Sequence, residues 1–391
     1  MPNALKPFDT RPALPEAAAH AETEIGMSKA SLQNSPAQPK ARRRKEIAIA
    51  AIVVLALLGL GLLVRAWHAP PAAPVVNHSY AEALEQAHNG KPGAARVLYQ
   101  QFTRTDLSDI RRAGLLAELS NYPSAQALKI LDGDLKRPAP LVQQAAIDTV
   151  LAIVPEAQRS VLIGPLLDDP DQGVRFSAVR ALLDLSPDDV GLYYGPLQDA
   201  AAQYESTLAS QPPSGQSQLE LARLFVNRSD TRKAADALDL ALKLEPNNIP
   251  AGLAQVQLLD QQGQTDRSRQ QLAQLLEKHP QSSLLQHALG MWLLHHQQNE
   301  YALLALAKAV ELEPENTAYR YDLAVALHDL QQLEPAQRQL EDILQRQPAN
   351  RSARILLINY WKQAGQLQKV QVLLAELEQL NPDDPALQQG L

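Results

Sequence analysis

The chain has 391 residues, a net charge of −7, no cysteine and only 4% aromatic residues, while 45% of it is hydrophobic. Without cysteine it has no disulfide, thiolate nucleophile, cysteine-ligated zinc or covalently attached haem. Residues 1–65 hold nine Lys/Arg against five Asp/Glu, which leaves 27 against 38 in the remainder. So acidic a body argues against nucleic acid as a partner, because phosphate contacts need clustered cations.

Residues 1–46 are rich in Pro, Ala, Ser and Gln with no apolar period and read as a disordered cytoplasmic tail. Ile47 to Val64 come next, 18 uncharged and almost wholly apolar residues. As a helix they span about 27 Å, close to the hydrocarbon thickness of a bilayer, and the expected element is an uncleaved transmembrane helix over 47–66. Lys40, Arg42, Arg43, Arg44 and Lys45 precede it and only Arg65 closes it. The positive-inside rule then holds the N-terminus in the cytoplasm and exports the rest. The expected place is a bacterial inner membrane, with lipid contacted through residues 47–66 and the body in the periplasm. Residues 67–79, "WHAPPAAPVVNHS", form a stiff Pro/Ala-rich linker.

Beyond the linker, "YAEALEQAHNGKPGAARVLYQQF" (80–102) reads as a helical hairpin. Three segments then align at a spacing of 32 residues: "IRRAGLLAEL" (110–119), "VQQAAIDTVL" (142–151) and "VRFSAVRALL" (174–183). "DPDQGVRFSAVRALLDL" resembles a HEAT-type repeat, in which an aspartate caps the second helix, Val174, Ala178 and Ala181 pack, and Arg175 points along the ladder. Residues 80–211 are assigned to HEAT-like helical repeats, with helices around Ala200 and Tyr204 joining them to the C-terminal array.

From 212 to 391 the period changes. Prolines fall at 212, 246, 280, 314, 348 and 382, each 34 residues after the last. They define units 215–248, 249–282, 283–316, 317–350 and 351–384. Position 8 of these units is Ala222, Val256, Gly290, Ala324 and Ile358; position 20 is Ala234, Ser268, Ala302, Ala336 and Val370. Position 24 is leucine throughout: Leu238, Leu272, Leu306, Leu340 and Leu374. Small residues at 8 and 20 let antiparallel helices approach, and the leucines fill the groove between them. The pattern resembles the tetratricopeptide repeat. Two departures stand out. The tryptophan usual at position 4 is replaced by Gln218, Gly252, Gln286, Arg320 and Arg354, and position 15, often glycine, is so only at Gly263 and Gly365. The predicted fold is all-α, an α-solenoid of helical hairpins, HEAT-like and then tetratricopeptide, behind one N-terminal transmembrane helix.

No Walker loop, G-x-S-x-G, H-E-x-x-H or paired-glycine fingerprint is present. No catalytic residue, cofactor or metal site is assigned, and the chain reads as no enzyme. The adjacent His295 and His296 point about 100° apart on a helix and read as solvated helix-end residues. The resemblance supplies a site of another kind. Positions 2, 5, 9 and 12 of each first helix in such arrays line a concave peptide-binding groove. Here the partner-binding candidates are Arg223, Gln257, Asp260, His287, Met291, Tyr321, Val325, His328, Asn359 and Lys362, with Leu253, Leu294 and Ile355 between them. The carboxylate clamp of the family is not expected, because Leu219, Arg223 and Leu253 occupy its key places. A mixed apolar groove suits a helix or extended segment of a protein partner. Protonation of His287 and His328 below about pH 6.5 would put charge into it.

The function expected is therefore a membrane-anchored interaction scaffold or assembly factor presenting a groove in the periplasm. The repeat region is also similar to the tail of some multihaem c-type cytochromes, so a haem-free accessory of an electron-transfer system is a second reading. A cryptic enzyme, which would need an unrecognised polar cluster, is a third.

Overall fold

The computed structural model describes residues 78–389. The expected cytoplasmic tail, transmembrane helix and all but the last two residues of the linker lie outside the described residues. Among the described residues there is no strand, and no helix is long and apolar enough to cross a membrane.

The first hairpin pairs α1 (Tyr80–His88) with α2 (Ala94–Phe102). Ser79 and Glu82 form a capping box that satisfies two orphan N–H groups of α1. Ala83, Ala95 and Tyr99 are buried between the two helices. Then come α3 (Asp109–Leu119), α4 (Ala125–Leu135), α5 (Pro140–Ile153), α6 (Glu156–Ile163), α7 (Gln172–Leu182), the short α8 (Pro187–Val190) and α9 (Tyr194–Ser210). The three segments spaced by 32 residues lie in α3, α5 and α7, which pack one on the next. Asp171 caps α7 by accepting the Val174 N–H at 3.0 Å. Arg175 departs from expectation, since its guanidinium turns back to the carbonyls of Asp169 and Pro170 in its own loop. The link along the stack falls instead to Asp169, whose carboxylate accepts from Gln143 of α5 at 2.7 Å.

The five 34-residue units are five hairpins: α10 (Gly215–Asn227) with α11 (Thr231–Leu244), α12 (Ile249–Gln261) with α13 (Thr265–Lys278), and α14 (Ser283–His295) with α15 (Asn299–Leu312). The last two are α16 (Thr317–Asp329) with α17 (Leu333–Arg346) and α18 (Arg351–Gln363) with α19 (Leu367–Leu380). A short α20 (Pro385–Gln388) ends the series. The proline period has a direct cause. Each proline follows the residue that closes a second helix, and those residues, Glu245, His279, Glu313, Gln347 and Asn381, have φ between −130° and −148° with ψ between 60° and 90°. A residue before proline is driven out of the α region, so the helix ends there. Two residues further on, Asn248, Ser282, Asn316 and Asn350 cap the next helix through side-chain oxygens.

Positions 8, 20 and 24 are buried in every unit except that Leu374 is half-buried. At Gly290 a Cβ would come within 2.6 Å of Leu306 Cγ, so the glycine at position 8 makes room for the leucine at position 24. Position 15 is left-handed in all five units: Ser229, Gln297 and Gln331 at φ 59°, 58° and 62°, Gly263 and Gly365 at 71° and 70°. The residue at position 4 is buried in four units and half-buried as Gln286 in the third. Arg320 reaches Asp342 at 3.3 Å and Gln339 at 2.9 Å, and Arg354 pairs with Glu376. Each arginine thus ties the first helix of its unit to the second, across the space that a tryptophan would fill.

The array does not run open from end to end. Its last helices return to its first: Gly93 N–H donates to Gln379 O at 2.7 Å, and the buried Asn381 amide donates to Pro123 O at 2.8 Å. Ala349 and Leu380 belong to the same buried cluster as Ala87, Ala94 and Leu98. Gly90, at φ +57°, sits so close to Pro348 and Ala349 that a Cβ would lie 2.8 Å from their backbone atoms. Arg351 grips the fully buried carboxylate of Asp384 through two bonds of 2.6 and 2.7 Å, which holds the terminal turn in place beside this seam. The sequence of hairpins therefore forms a closed circuit.

Candidate functional site

The first helices of the five units carry the ten groove candidates, of which nine fall into three groups and Asp260 stands apart. Arg223 and Gln257 line a cavity of about 330 Å³ with Leu253, Arg180 of α7 and Tyr204 of α9. Asn359 and Lys362 line a larger space of about 1300 Å³, facing Lys129, Ile153 and Gln158 from the N-terminal helices. The inner face of the last unit is thus overlooked by helices α4 to α6. An expectation drawn from five units alone has no means of including that wall.

The middle group is His287, Met291, Tyr321, Val325 and His328. Met291 is 44% exposed. Tyr321 and Val325 are half-buried, and burial raises the Tyr321 phenol above its ordinary pKa, with the Asp322 carboxylate acting in the same direction. The two histidines have partners of their own. His287 stacks on Tyr319, ring centroids 4.7 Å apart, and its Nε2 lies 2.7 Å from Asp322 Oδ2. His328 lies almost parallel to Tyr360 at 3.7 Å, and its Nε2 is 2.9 Å from Gln363 Oε1. In each case the histidine contacts the residues 32 and 35 positions ahead, in the following unit. They act as rivets between repeats. Burial pushes the Tyr360 phenol up to about 12, with Asp329 and Tyr321 contributing, so the ring beneath His328 stays neutral across the physiological range.

Asp260 is drawn away from the groove candidates and into a polar cluster. Its Oδ1 lies 2.9 Å from His296 Nε2, and its Oδ2 is 3.9 Å from His295 Nε2. The sequence reading of these histidines as solvated residues facing apart holds for the exposure of His295 alone. His295 is the last residue of α14 and His296 its cap, at φ −93° and ψ 16°, so the angular step of a regular helix does not apply between them. His296 folds inward against Trp292, ring centroids 4.2 Å apart. The sequence signal that could have found the cluster was the 35-residue offset between Asp260 and His295, one repeat plus one residue.

A buried stack of helical hairpins with a lined inner face defines a helical-repeat protein. Two tetratricopeptide-repeat family models match, over residues 192–249 and 225–291, so the chain carries tetratricopeptide repeats; the first match takes in all of α9, upstream of the 34-residue proline series. No curated protein matches the chain. Among solved structures, MamA is 16% identical with a TM-score of 0.35, covering 42% of this chain and 91% of MamA. TTC0263, a thermophilic TPR protein of Thermus thermophilus, is 18% identical with a TM-score of 0.35, covering 42% and 91%. YrrB, a TPR protein with an unusual peptide-binding site, is 18% identical with a TM-score of 0.33, covering 47% and 94%.

Proposed function

We propose that this protein is a membrane-tethered interaction scaffold, holding a peptide or helix of a protein partner against the inner face of units 283–316 and 317–350. The observation that carries the reading is the exposed Met291 beside half-buried Tyr321 and Val325 on consecutive first helices of a tetratricopeptide array. Thioether and aromatic side chains on a surface stiffened by neighbouring repeats are what interface anchors are made of. The His287 stack on Tyr319 supports it by tying these two units together, and the His328 stack on Tyr360 ties the second of them to the last unit. The tether is the apolar span 47–66, and the basic residues before it favour a periplasmic body in a bacterial inner membrane. On this reading residues 80–211 are the HEAT-like part, whose Lys129, Ile153 and Gln158 face Asn359 and Lys362 of the last unit.

Changing Met291 and Tyr321 together to alanine should weaken a partner recovered by affinity capture by about 2 kcal/mol, measured by calorimetry. The melting temperature should move little, since neither side chain fills position 8, 20 or 24. Unchanged affinity in a normally folded variant would place the site elsewhere. Independently, a reporter fused after Leu391 should be active only outside the cytoplasm, and activity inside it would remove the periplasmic assignment.

A further inference from the structure

We propose that Asp260, His295 and His296 form a binding site for a transition-metal dication of the zinc type, bridging the second and third tetratricopeptide units. One ligand atom from each residue lies within 4.8 Å of the other two. A tetrahedral ion with bonds near 2.0–2.1 Å needs its ligand atoms about 3.3 Å apart. His296 Nε2 lies 2.9 Å from Asp260 Oδ1 and His295 Nε2 lies 3.9 Å from Oδ2 of the same carboxylate, one contact shorter and one longer than that value. His295 is 74% exposed, so its side chain has room to adjust around an ion. Two imidazoles and one carboxylate suit zinc, nickel or copper(II), and the nitrogen donors disfavour calcium and magnesium.

Behind the ligands stands a shell that fixes them. Ser268 is fully buried, accepts the Trp292 indole N–H at 3.1 Å, and places its Oγ 3.3 Å from Asp260 Oδ1. The His296 ring also rests against the Trp292 indole, tilted 43° with centroids 4.2 Å apart. Oriented carboxylates and rings of this kind distinguish a prepared site from a chance cluster. Asp260 belongs to α12, and both histidines belong to the end of α14. An ion held by all three would lock the angle between two repeats, with a fourth position left to water. The site requires no partner and stands apart from the scaffold reading.

The test uses the full chain in detergent, stripped with chelator and titrated with ZnCl₂ by calorimetry. The expected result is one ion per chain, with a melting temperature raised by about 3 °C or more at saturation. His295→Ala should weaken binding at least about tenfold and leave the metal-free melting temperature unchanged, because that imidazole is exposed. Copper(II) should quench the Trp292 fluorescence of the unaltered chain and much less that of His295→Ala. Asp260→Asn, which keeps shape and removes charge, is the second variant and should lose affinity likewise. Equal zinc affinity in the unaltered chain and both variants, or no stoichiometric binding, would overturn the proposal and leave Asp260 as the hydrogen-bond partner of His296.

Discussion

Ser229, Gln297 and Gln331 hold a left-handed backbone that side chains adopt at a cost of about 1–2 kcal/mol. They do so because the chain must reverse within a few residues between two packed helices, and in each unit the residue after position 15 donates its N–H back to the first helix, as Asp230 does to Phe225 O at 2.8 Å. Gly263 and Gly365 meet the same demand without strain. Replacing Ser229, Gln297 or Gln331 by glycine should therefore stabilise the protein, by about 0.5–1 kcal/mol each after the entropy of glycine in the unfolded chain is set against the relief. Chemical denaturation of the single variants reads this directly, and a loss of stability would mean that the side chains hold the turn by contacts of their own. In the sequence this position showed only as a missing glycine. What repeats is a conformation, and composition reports conformation imperfectly.

A helix pair survives the loss of a family residue when another pair of groups spans the same gap. Arg320 with Asp342, and Arg354 with Glu376, are buried or half-buried bridges between the two helices of a unit, where tryptophan is the usual filling. The leucine at position 24 has no such substitute. Leu306 is completely buried and faces Gly290, so Leu306→Ala should cost about 2–4 kcal/mol in a denaturant melt. A cost under about 1 kcal/mol would mean that the hairpin collapses around the gap. Unit boundaries, helix pairing and the buried positions were legible in the sequence because each rests on local chemistry: proline ends a helix, small residues permit approach, and leucine fills. The groove face came from the family resemblance and not from such local chemistry. Its division into separate regions was not legible, because the wall facing Asn359 and Lys362 comes from residues more than 190 positions away, and no periodicity encodes a contact at that range. The Asp260 cluster was missed for a smaller reason of the same kind, since its partners join across units.

The closed circuit makes the two ends of the array depend on each other. Open solenoids are governed by nearest-neighbour contacts and end in polar capping repeats; here Gly90, Gly93 and Pro123 meet Pro348, Gln379 and Asn381. Gly90→Ala would combine a left-handed strain with a backbone clash and should cost about 2 kcal/mol or more. Asn381→Ala would leave the buried Pro123 carbonyl unpaired, at about 1–3 kcal/mol. Together they should turn one cooperative denaturation transition into a broader, stepwise one, followed by circular dichroism alongside Trp361 fluorescence. A transition as sharp as that of the unaltered chain would show that the seam contributes little. The seam also sets a schedule during synthesis. The hairpin α1–α2 leaves the ribosome early, yet its docking surface belongs to residues made roughly 250–300 positions later. At about 5–20 residues per second that is an interval of roughly 15–60 s. Through all of it Ala87, Ala94 and Leu98 lack the Ala349 and Leu380 that join their core in the finished protein. A nascent chain of this design has reason to need a chaperone until its last helix is complete.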